Sequence, residues 1–376
     1  MRPPTNLSPT GPWASVRINR RTFIAGFAAT GAMTQSGCSN GDALGYEQAA
    51  AAVRAPLPPD ASQRDLIRYA TLAANSHNTQ PWRFRIGDRR IDILPDLGRR
   101  TPAVDPDDHH LFVSLGCATE NLVVAAAARG LHAVPRFDSG GEGSIGVDLE
   151  SASPVETPLF AAIPLRQSTR SDYDGKAVSG SDLALLQSAA ASEAVDLMLV
   201  TEPARVESVL ALVQDGNSAQ RADPAFVAEL KTWIRFNASD ALRAGDGLYS
   251  GVTGNPSVPG WLGRLIYGFV SSDSGERDAI ARQIRSSAGL AIFAGKQSDK
   301  AHWVEAGRSC QRFALQATAL GIKYAFVNQA VEATAVRPRL AADLGLGDRR
   351  PDLIVRFGYG PLMPKSLRRP VADVIA

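Results

Sequence analysis

Ala74-Asn75-Ser76-His77-Asn78-Thr79-Gln80-Pro81-Trp82 combines three amide side chains, two hydroxyl side chains, a proline and a tryptophan within nine residues. Asn and Gln side chains offer both hydrogen-bond donors and acceptors, which suits the polar edge of a neutral ring. A second stretch, Arg166-Gln167-Ser168-Thr169-Arg170, lies just before Tyr173. Two forked guanidinium groups flanking a hydroxyl suit a phosphate. Together the stretches indicate a ligand with a neutral polar part and an anionic part.

The two stretches resemble the two signatures of the FMN-dependent nitroreductase family, P-S-S-x-N-x-Q-P-W and R-x-S-x-R before an aromatic residue. In an ordinary family member the arginine segment comes first, whereas here the order is reversed. Family members are domain-swapped homodimers in which these segments of two subunits meet around each FMN. A duplicated and fused chain would supply both segments itself. The arrangement resembles the Acg-type branch, in which a single-chain pseudo-dimer holds one flavin, and the resemblance covers roughly residues 60 to 370.

An internal repeat favours duplication. Residues 116–131 (GCATENLVVAAAARGL) align without a gap to residues 307–322 (GRSCQRFALQATALGI) at an offset of 191 residues. Both segments carry small and apolar residues at helical spacing and approach their ends at a glycine, as a buried helix with a C-terminal cap would. The alternative is a pair of unrelated alanine-rich core helices.

The resemblance implies an α+β fold of two tandem nitroreductase-like units that form a pseudo-dimer, with mainly antiparallel sheet flanked by helices. A length of 376 residues, with 44% hydrophobic and 21% charged residues, suits two fused globular units. The predicted divisions are a signal segment at 1–38, a tether at 39–60, a first unit at 61–150 and a second unit at 155–370. Predicted strands span residues 83–86, 90–94, 195–200, 290–293 and 353–357.

The resemblance also assigns site residues. Arg166, Ser168 and Arg170 would hold the FMN phosphate, joined by Arg368 or Arg369, for which a solvated tail is the alternative. Ser76, Asn78, Gln80 and Asn75 would meet the ring edge, and Gln329 would lie near the ring nitrogen N5. One FMN per chain is predicted, since neither unit repeats both signatures. No side chain is assigned a catalytic role, because the flavin carries the chemistry.

Two functions fit these residues. One is an FMN oxidoreductase that passes electrons to a small acceptor, such as a nitroarene or a quinone, from an unidentified donor. The alternative is a protein that stores or sequesters flavin beneath a lid. Residues 215–275 interleave aromatic residues with glycine and proline, which predicts a lid-like insertion or, alternatively, a surface loop.

The N-terminus predicts export. Arg20 and Arg21, followed by Phe23 and a short apolar run, match a twin-arginine signal, so the twin-arginine export machinery is an expected partner and the periplasm the expected location. A lipid anchor at Cys38 is left open. The net charge of +2 gives no indication of a nucleic-acid partner, and the chain is expected to be monomeric.

The remaining motifs favour ordinary structure. Residues 141–146 spell G-x-G-x-x-G but precede a strand-like segment, which predicts a hairpin turn. The acidic and histidine residues of 105–110 lack ligand spacing, so a helix-capping loop is expected and no metal site. Cys117 and Cys310 lie on the repeat helices and are expected to be buried thiols.

Overall fold

A computed structural model of the chain describes residues 36–270 and 273–376. The predicted twin-arginine signal therefore lies outside the described residues, as does the side chain of Cys38. The described strands are β1 Trp82–Gly87, β2 Arg90–Pro95, β3 Leu131–Asp138, β4 Ser144–Ser151, β5 Val195–Val200, β6 Ile234–Arg235, β7 Leu248–Tyr249, β8 Gly289–Gly295, β9 Lys323–Phe326 and β10 Leu353–Gly358.

The described helices are numbered in chain order, and three short 3₁₀ turns at Ser76–Asn78, Leu97–Arg99 and Ser250–Thr253 accompany them. They are α1 Ser36–Ala52, α2 Gln63–Thr71, α3 His109–Ala127, α4 Pro158–Ala162, α5 Gly180–Ala189, α6 Pro203–Ala222, α7 Pro224–Trp233, α8 Ala238–Ala244, α9 Gly260–Val270, α10 Asp273–Arg285, α11 Lys300–Ala319, α12 Gln329–Glu332, α13 Arg337–Asp343 and α14 Val371–Val374.

Two four-stranded antiparallel sheets share one topology. The first has the order β1-β2-β4-β3 and the second the order β5-β8-β10-β9. In each sheet the first two strands pair, a long helix follows, and the last two strands pair in turn. The long helices are α3 in the first unit and α11 in the second. The fold is therefore α+β with two tandem units.

The helices α3 and α11 cross at two glycines. A Cβ atom built on Gly116 would lie 2.0 Å from the carbonyl oxygen of Val304, and one built on Gly307 would lie 2.0 Å from that of Val113. Gly116 and Gly307 are 191 positions apart, and so are Val113 and Val304. The two contacts are therefore related by the offset of the sequence repeat. Only glycine permits backbones to approach so closely. The repeat segments thus make reciprocal contacts.

Both repeat helices end as their glycines predict. Gly130 and Gly321 have φ angles of 71° and 74°, in the left-handed region that favours glycine. Within the described residues, α3 is the one helix long and apolar enough to cross a membrane, and 83% of its apolar window is buried inside the protein. Such burial is that of a core helix. Cys117 and Cys310 are buried free thiols, as predicted.

The main hydrophobic core lies between the two units. Phe84 and Ile93 of the first sheet and Phe293 and Phe357 of the second belong to one buried cluster. The outer face of the second sheet is covered as well, by a second cluster that includes Leu290 and residues of α6, α10 and α13. Because both faces are covered, every residue of β8 is buried, whereas β1 alternates at its start and ends exposed.

The predicted tether is wrong over most of its length. Residues Ser36–Ala52 are helical, and α1 packs against α8 through Tyr46 and Ala50, which are both buried. The alanine-rich composition that was interpreted as a linker is also that of a helix, since alanine has the highest helix propensity. Two other interpretations are confirmed in part. The turn of the β3–β4 hairpin spans residues 139–143, so residues 144–146 of the predicted turn already belong to β4. Asp105 caps α3 by accepting hydrogen bonds from the backbone amides of His110 and Leu111, although His109 and His110 belong to the helix and not to a loop.

Candidate cofactor-binding site

Two adjoining cavities lie where the units meet. The larger, here called the chamber, has a volume of about 310 Å³. The smaller, here called the arginine pocket, has a volume of about 70 Å³. The two cavities share several lining residues, so they form one continuous site. These shared residues are Ala74, Asn75, His77, Arg170, Leu248 and Phe326.

The loop between α2 and β1 enters this site in a strained conformation. His77, Asn78 and Gln80 all have positive φ angles, of 46°, 53° and 53°. Such a conformation costs free energy for residues other than glycine and persists where surrounding contacts over-determine it. The side chain of Asn75 accepts a hydrogen bond from the backbone amide of Gln80 at 2.9 Å, and Trp82 is fully buried beneath the loop.

Asn78 ties this loop to two distant segments. Its amide nitrogen donates to the carbonyl oxygens of Gly247 and Leu367, at 3.1 and 3.3 Å. Its amide oxygen accepts from Arg368 at 2.8 Å. Asn78 lines the arginine pocket, whereas Ser76 lines the chamber. Of the four residues predicted to contact the ring edge, three line the site. Asn75 lines both cavities, whereas Gln80 lines neither.

The arginine pocket brings together four guanidinium groups, those of Arg54, Arg166, Arg170 and Arg368. Among the described residues, none of the four has a carboxylate oxygen within 4.0 Å. Burial and then the charge of Arg166 lower the pKa of Arg54 to about 10. Burial, followed by Arg54 and Arg166, also holds the pKa of Arg368 well below its usual range. The charges repel one another, so the pocket favours an anion.

Three of these arginines are fixed by backbone carbonyls, and Arg54 donates to those of Ala50 and Ser366, at 2.7 and 2.9 Å. Arg166 donates to the hydroxyl of Tyr324 at 2.5 Å and to the carbonyl oxygen of Leu72 at 2.7 Å. Arg368 donates to the carbonyl oxygens of Thr71 and Ala73, at 2.6 and 3.0 Å. These contacts join the second unit and the C-terminal segment to the end of α2. The guanidinium group of Arg170, in contrast, makes no hydrogen bond to any residue that the structure describes.

Ser168 lies in the arginine pocket between Arg166 and Arg170, as its place in the sequence predicts. The segment is held by β-type contacts to β9: Ser168 forms a bridge with Tyr324, and the amide of Thr169 donates to the carbonyl oxygen of Tyr324 at 2.8 Å. An extended backbone presents alternate side chains to opposite faces. Residues 166, 168 and 170 therefore point toward the same cavity.

Three buried polar atoms of neutral side chains that line the chamber have no hydrogen-bond partner among the described residues. They are Nδ1 of His77, Nε2 of His110 and Oε1 of Gln329. Burial, and then the charge of Arg170, lower the pKa of His77 to about 4, so its imidazole is neutral at pH 7. A buried polar atom without a partner costs about 1–3 kcal/mol. Their convergence on one cavity indicates a ligand with both donors and acceptors.

Two residues predicted to contact the ligand line neither cavity. Gln80 is fully buried, and its amide donates to the carbonyl oxygen of Gly245 at 2.9 Å and accepts from the backbone amide of Arg369 at 2.7 Å. The side chain of Arg369 lies 3.5 Å from Asp96. The side chain of Gln80 therefore joins the loop to the insertion and to the C-terminal segment and does not line the site. Of the arginine pair near the C-terminus, Arg368 alone lines the pocket.

The insertion at 215–275 forms one wall of both cavities. Phe226 and Leu230 line the chamber, Tyr249 and Thr253 line the arginine pocket, and Leu248 lines both. Three of the aromatic residues in the insertion line neither cavity. They pack within the insertion, face Arg99, or are exposed: Phe236 is buried, Trp233 lies 5.4 Å from the guanidinium of Arg99, and Trp261 is 71% exposed.

Several residues of the site were not predicted from the sequence. Arg54 follows α1, in the segment interpreted as a tether. His110 lies in the first turn of α3, in the segment predicted as a helix-capping loop, and Glu332 ends α12. Asn217 and Gln220 reach the chamber from the C-terminal half of α6, which extends to Ala222. The sequence signal that could have indicated Asn217 and Gln220 is helical spacing that continues to the end of α6.

The fold and site define a class of α+β protein with two tandem units and, at their junction, an arginine pocket that opens into a polar chamber. The chain is 28% identical over 348 residues to two Mycobacterium tuberculosis proteins, from strains CDC 1551 and H37Rv, each named provisionally as an NAD(P)H nitroreductase. The match covers 86% of this chain and 94% of each relative. This similarity supports a relationship to the nitroreductases. No protein-family model matches the chain.

Solved structures of nitroreductases with bound FMN also show similarity. One from Bacteroides fragilis is 17% identical, with a TM-score of 0.36, over 57% of this chain and 95% of that chain. Another from Desulfitobacterium hafniense is 16% identical, with a TM-score of 0.38, over 59% of this chain and 98% of that chain.

Proposed function

We propose that the chain binds one FMN at this site and is an oxidoreductase of the nitroreductase type. The observation that carries the proposal is the arginine pocket, in which four guanidinium groups converge with no carboxylate partner in the part of the chain that the structure describes. A phosphate monoester carries close to two negative charges at pH 7 and accepts several hydrogen bonds. Its charge would relieve the repulsion among the four arginines. The predicted phosphate residues Arg166, Ser168, Arg170 and Arg368 all line this pocket.

The chamber suits the flavin ring. The ring's pyrimidine edge alternates hydrogen-bond donors and acceptors without a formal charge, which matches the amide and imidazole groups there. Asn75, Ser76 and Gln329 line the chamber, and the Oε1 atom of Gln329 has no partner among the described residues. Flavin would supply hydride transfer at N5. The residues of this chain bind it, orient it and, through Phe226 and Leu230 of the insertion, exclude water from one side.

The names of the two relatives favour turnover over storage, since both are NAD(P)H nitroreductases by name. A nitroarene or a quinone is the proposed acceptor. We also propose that the chain is a monomeric pseudo-dimer of the Acg type, that residues 1–38 direct it through the twin-arginine route to the periplasm, and that the donor there is a carrier other than cytoplasmic NAD(P)H. Anchoring through Cys38 is part of the same proposal.

The first test is the cofactor released from the purified full chain, identified by absorption and by mass. One FMN per chain is the expected result, and a protein that neither contains nor takes up FMN would refute the proposal. Reduction of the bound flavin is then followed under NADH, NADPH and a quinol. Reduction by one of them supports an oxidoreductase, whereas a flavin reduced by none of them supports storage.

The affinity for FMN is expected to fall as the pH rises above about 8. Lys365 lies between two lining residues of the arginine pocket, Pro364 and Ser366, and its ammonium group donates to the carbonyl oxygen of Pro164 at 2.6 Å. Burial, and then the charges of Arg54 and Arg166, lower its pKa to about 8. A lysine with a lowered pKa is charged below that pKa and neutral above it. The bound dianion favours the charged form, so affinity should decrease by up to about tenfold per pH unit above pH 8. Quenching of flavin fluorescence between pH 7 and 9 measures the dissociation constant.

Two matched controls accompany this titration. Lys365→Arg keeps its charge throughout the range, so its dissociation constant should vary little with pH. Riboflavin lacks the phosphate, so its affinity for the wild type should show no such decrease. Equal slopes for Lys365→Arg and the wild type would contradict the assignment of Lys365 to this effect.

A further inference from the structure

A histidine and a glutamate from different units face each other in the chamber. Nε2 of His110 lies 3.6 Å from Oε1 of Glu332. His110 is in the first turn of α3, and Glu332 ends α12. At 3.6 Å the two atoms are too far apart for a hydrogen bond. His110 is 4% exposed and its Nε2 has no hydrogen-bond partner among the described residues, although it lines the chamber.

Gln220 determines which oxygen of Glu332 is available. Its amide nitrogen donates to Oε2 of Glu332 at 2.6 Å. In a protonated carboxyl group the carbonyl oxygen is the stronger acceptor, so this hydrogen bond favours the proton on Oε1. Oε1 is the atom that faces His110. A ligand oxygen within hydrogen-bond distance of both Oε1 and Nε2 would meet the O–H of Glu332 and, in the tautomer of His110 that carries its proton on Nε2, an N–H donor as well.

The surroundings of the pair favour one proton on the carboxyl group at neutral pH. Burial raises the pKa of Glu332 to about 7; Asp105 raises it further, while Gln220, Arg170 and Arg337 lower it. Burial and then His109, Arg350 and Arg337 hold the pKa of His110 well below its usual range, against an opposing contribution from Asp107. The imidazole is thus neutral while the carboxyl group is partly protonated, as a general acid near pH 7 needs.

We propose that Glu332 is the proton donor to an oxygen atom of the acceptor, and that His110 positions that oxygen. This inference rests on the proposed function. For a quinone, the reduced flavin supplies a hydride, which is two electrons and one proton, and Glu332 supplies the second proton to a carbonyl oxygen, which becomes a hydroxyl. The carboxylate is then reprotonated from solvent. The acceptor class is therefore one whose oxygen must be protonated as it is reduced.

The test compares Glu332→Gln with the wild type, both as full-chain flavoproteins, on two acceptors. Benzoquinone needs a proton to form the quinol, whereas ferricyanide takes one electron and no proton. We expect the variant to reduce benzoquinone about 10²-fold more slowly in kcat, with unchanged ferricyanide reduction and unchanged flavin content. The wild-type benzoquinone rate should fall as the pH rises above about 7, because a general acid is lost there, and the variant should lack this fall.

A matched control is Glu305→Gln, whose carboxylate pairs with Arg308 at 2.7 Å and lines neither cavity. It should match the wild type on both acceptors. Equal losses on both acceptors in Glu332→Gln would overturn the proposal, since a merely structural role would affect ferricyanide too.

Infrared difference spectroscopy gives a readout that needs no turnover. At pH 6 the wild type should show the carbonyl band of a protonated carboxyl group that Glu332→Gln lacks, and this band should disappear as the pH is raised toward 9. Absence of that band would overturn the proposal. The flavin content of the wild type separates the two claims: a protein without flavin refutes the proposed function itself, whereas a flavoprotein with no difference between acceptors refutes this inference alone.

Discussion

Arg170→Ala is expected to raise the dissociation constant of FMN by about 10–100-fold, because a hydrogen bond to a charged group contributes about 1.5–3 kcal/mol. Arg170 lines both cavities. Its guanidinium group makes no hydrogen bond and has no carboxylate within 4.0 Å among the described residues, so it is available to the phosphate. Burial, and then repulsion from Arg356, lower the pKa of Arg170, while Glu332 raises it. Removal of Arg170 should therefore leave the stability of the flavin-free protein unchanged or slightly higher.

Arg282→Ala is the matched control for charge and size. Arg282 is exposed on α10, where it pairs with Asp172 at 3.0 Å, and it lines neither cavity. Its loss should leave the affinity for FMN unchanged. Arg166→Ala should reduce both affinity and stability, since Arg166 also holds the end of α2 through Leu72. An Arg170→Ala protein with wild-type affinity would show that the phosphate lies elsewhere.

Local patterns in the sequence predicted much of the fold. The apolar run at 290–293 predicted a strand, and the structure has β8 at Gly289–Gly295 with every residue buried. The repeat at an offset of 191 residues predicted two helices with glycine ends, which are α3 and α11. These features depend on nearest neighbours and on periodicity, which a sequence states directly. The strand β9 was not predicted, because Lys323–Phe326 is neither a continuous apolar run nor a clear alternation of apolar and polar residues.

The candidate site was predictable where a motif named it and not elsewhere. Arg166, Ser168 and Arg170 meet the loop at residues 74–82 as the signatures imply. Arg54 and Glu332 reach the same site from segments that carry no motif. Their positions depend on how α1 packs against α8 and how α12 packs against α6, and such long-range contacts leave no local pattern in the sequence.

Gln80 shows the opposite failure. Its place in the Q-P-W motif predicted a ligand contact, yet both ends of its amide are occupied by Gly245 and Arg369. A motif indicates that a residue type is required at a position, but it does not give the reason. At Gln80 the amide is needed to join the insertion to the C-terminal segment. Amide side chains serve equally well for ligands and for backbone groups, so residue type alone does not separate the two roles.

Gly307→Ala and Gly116→Ala are each expected to destabilise the protein by about 3 kcal/mol. An added Cβ would lie 2.0 Å from a backbone carbonyl oxygen of the facing helix in either variant. Neither helix can withdraw alone, since α3 and α11 both contribute to the main core. Because the two contacts are reciprocal, the two variants should lose similar amounts of stability. The double variant should lose less than the sum of the two, because separating the helices at one contact already relieves part of the clash at the other. Chemical denaturation measures the free energy of unfolding.

Gly41→Ala separates this clash from the ordinary effect of replacing glycine in a helix. Gly41 lies within α1, and a Cβ atom there would meet nothing within 4 Å. Alanine should stabilise that position by about 0.5–1 kcal/mol through its helix propensity. Losses at Gly116 and Gly307 that differ widely would mean that the two units do not support the crossing equally, which would contradict a junction built from two equivalent helices. Similar losses, against a gain at Gly41, would show that the same close approach is required from both halves of the chain, and hence that the junction forming the cofactor site depends on both repeats.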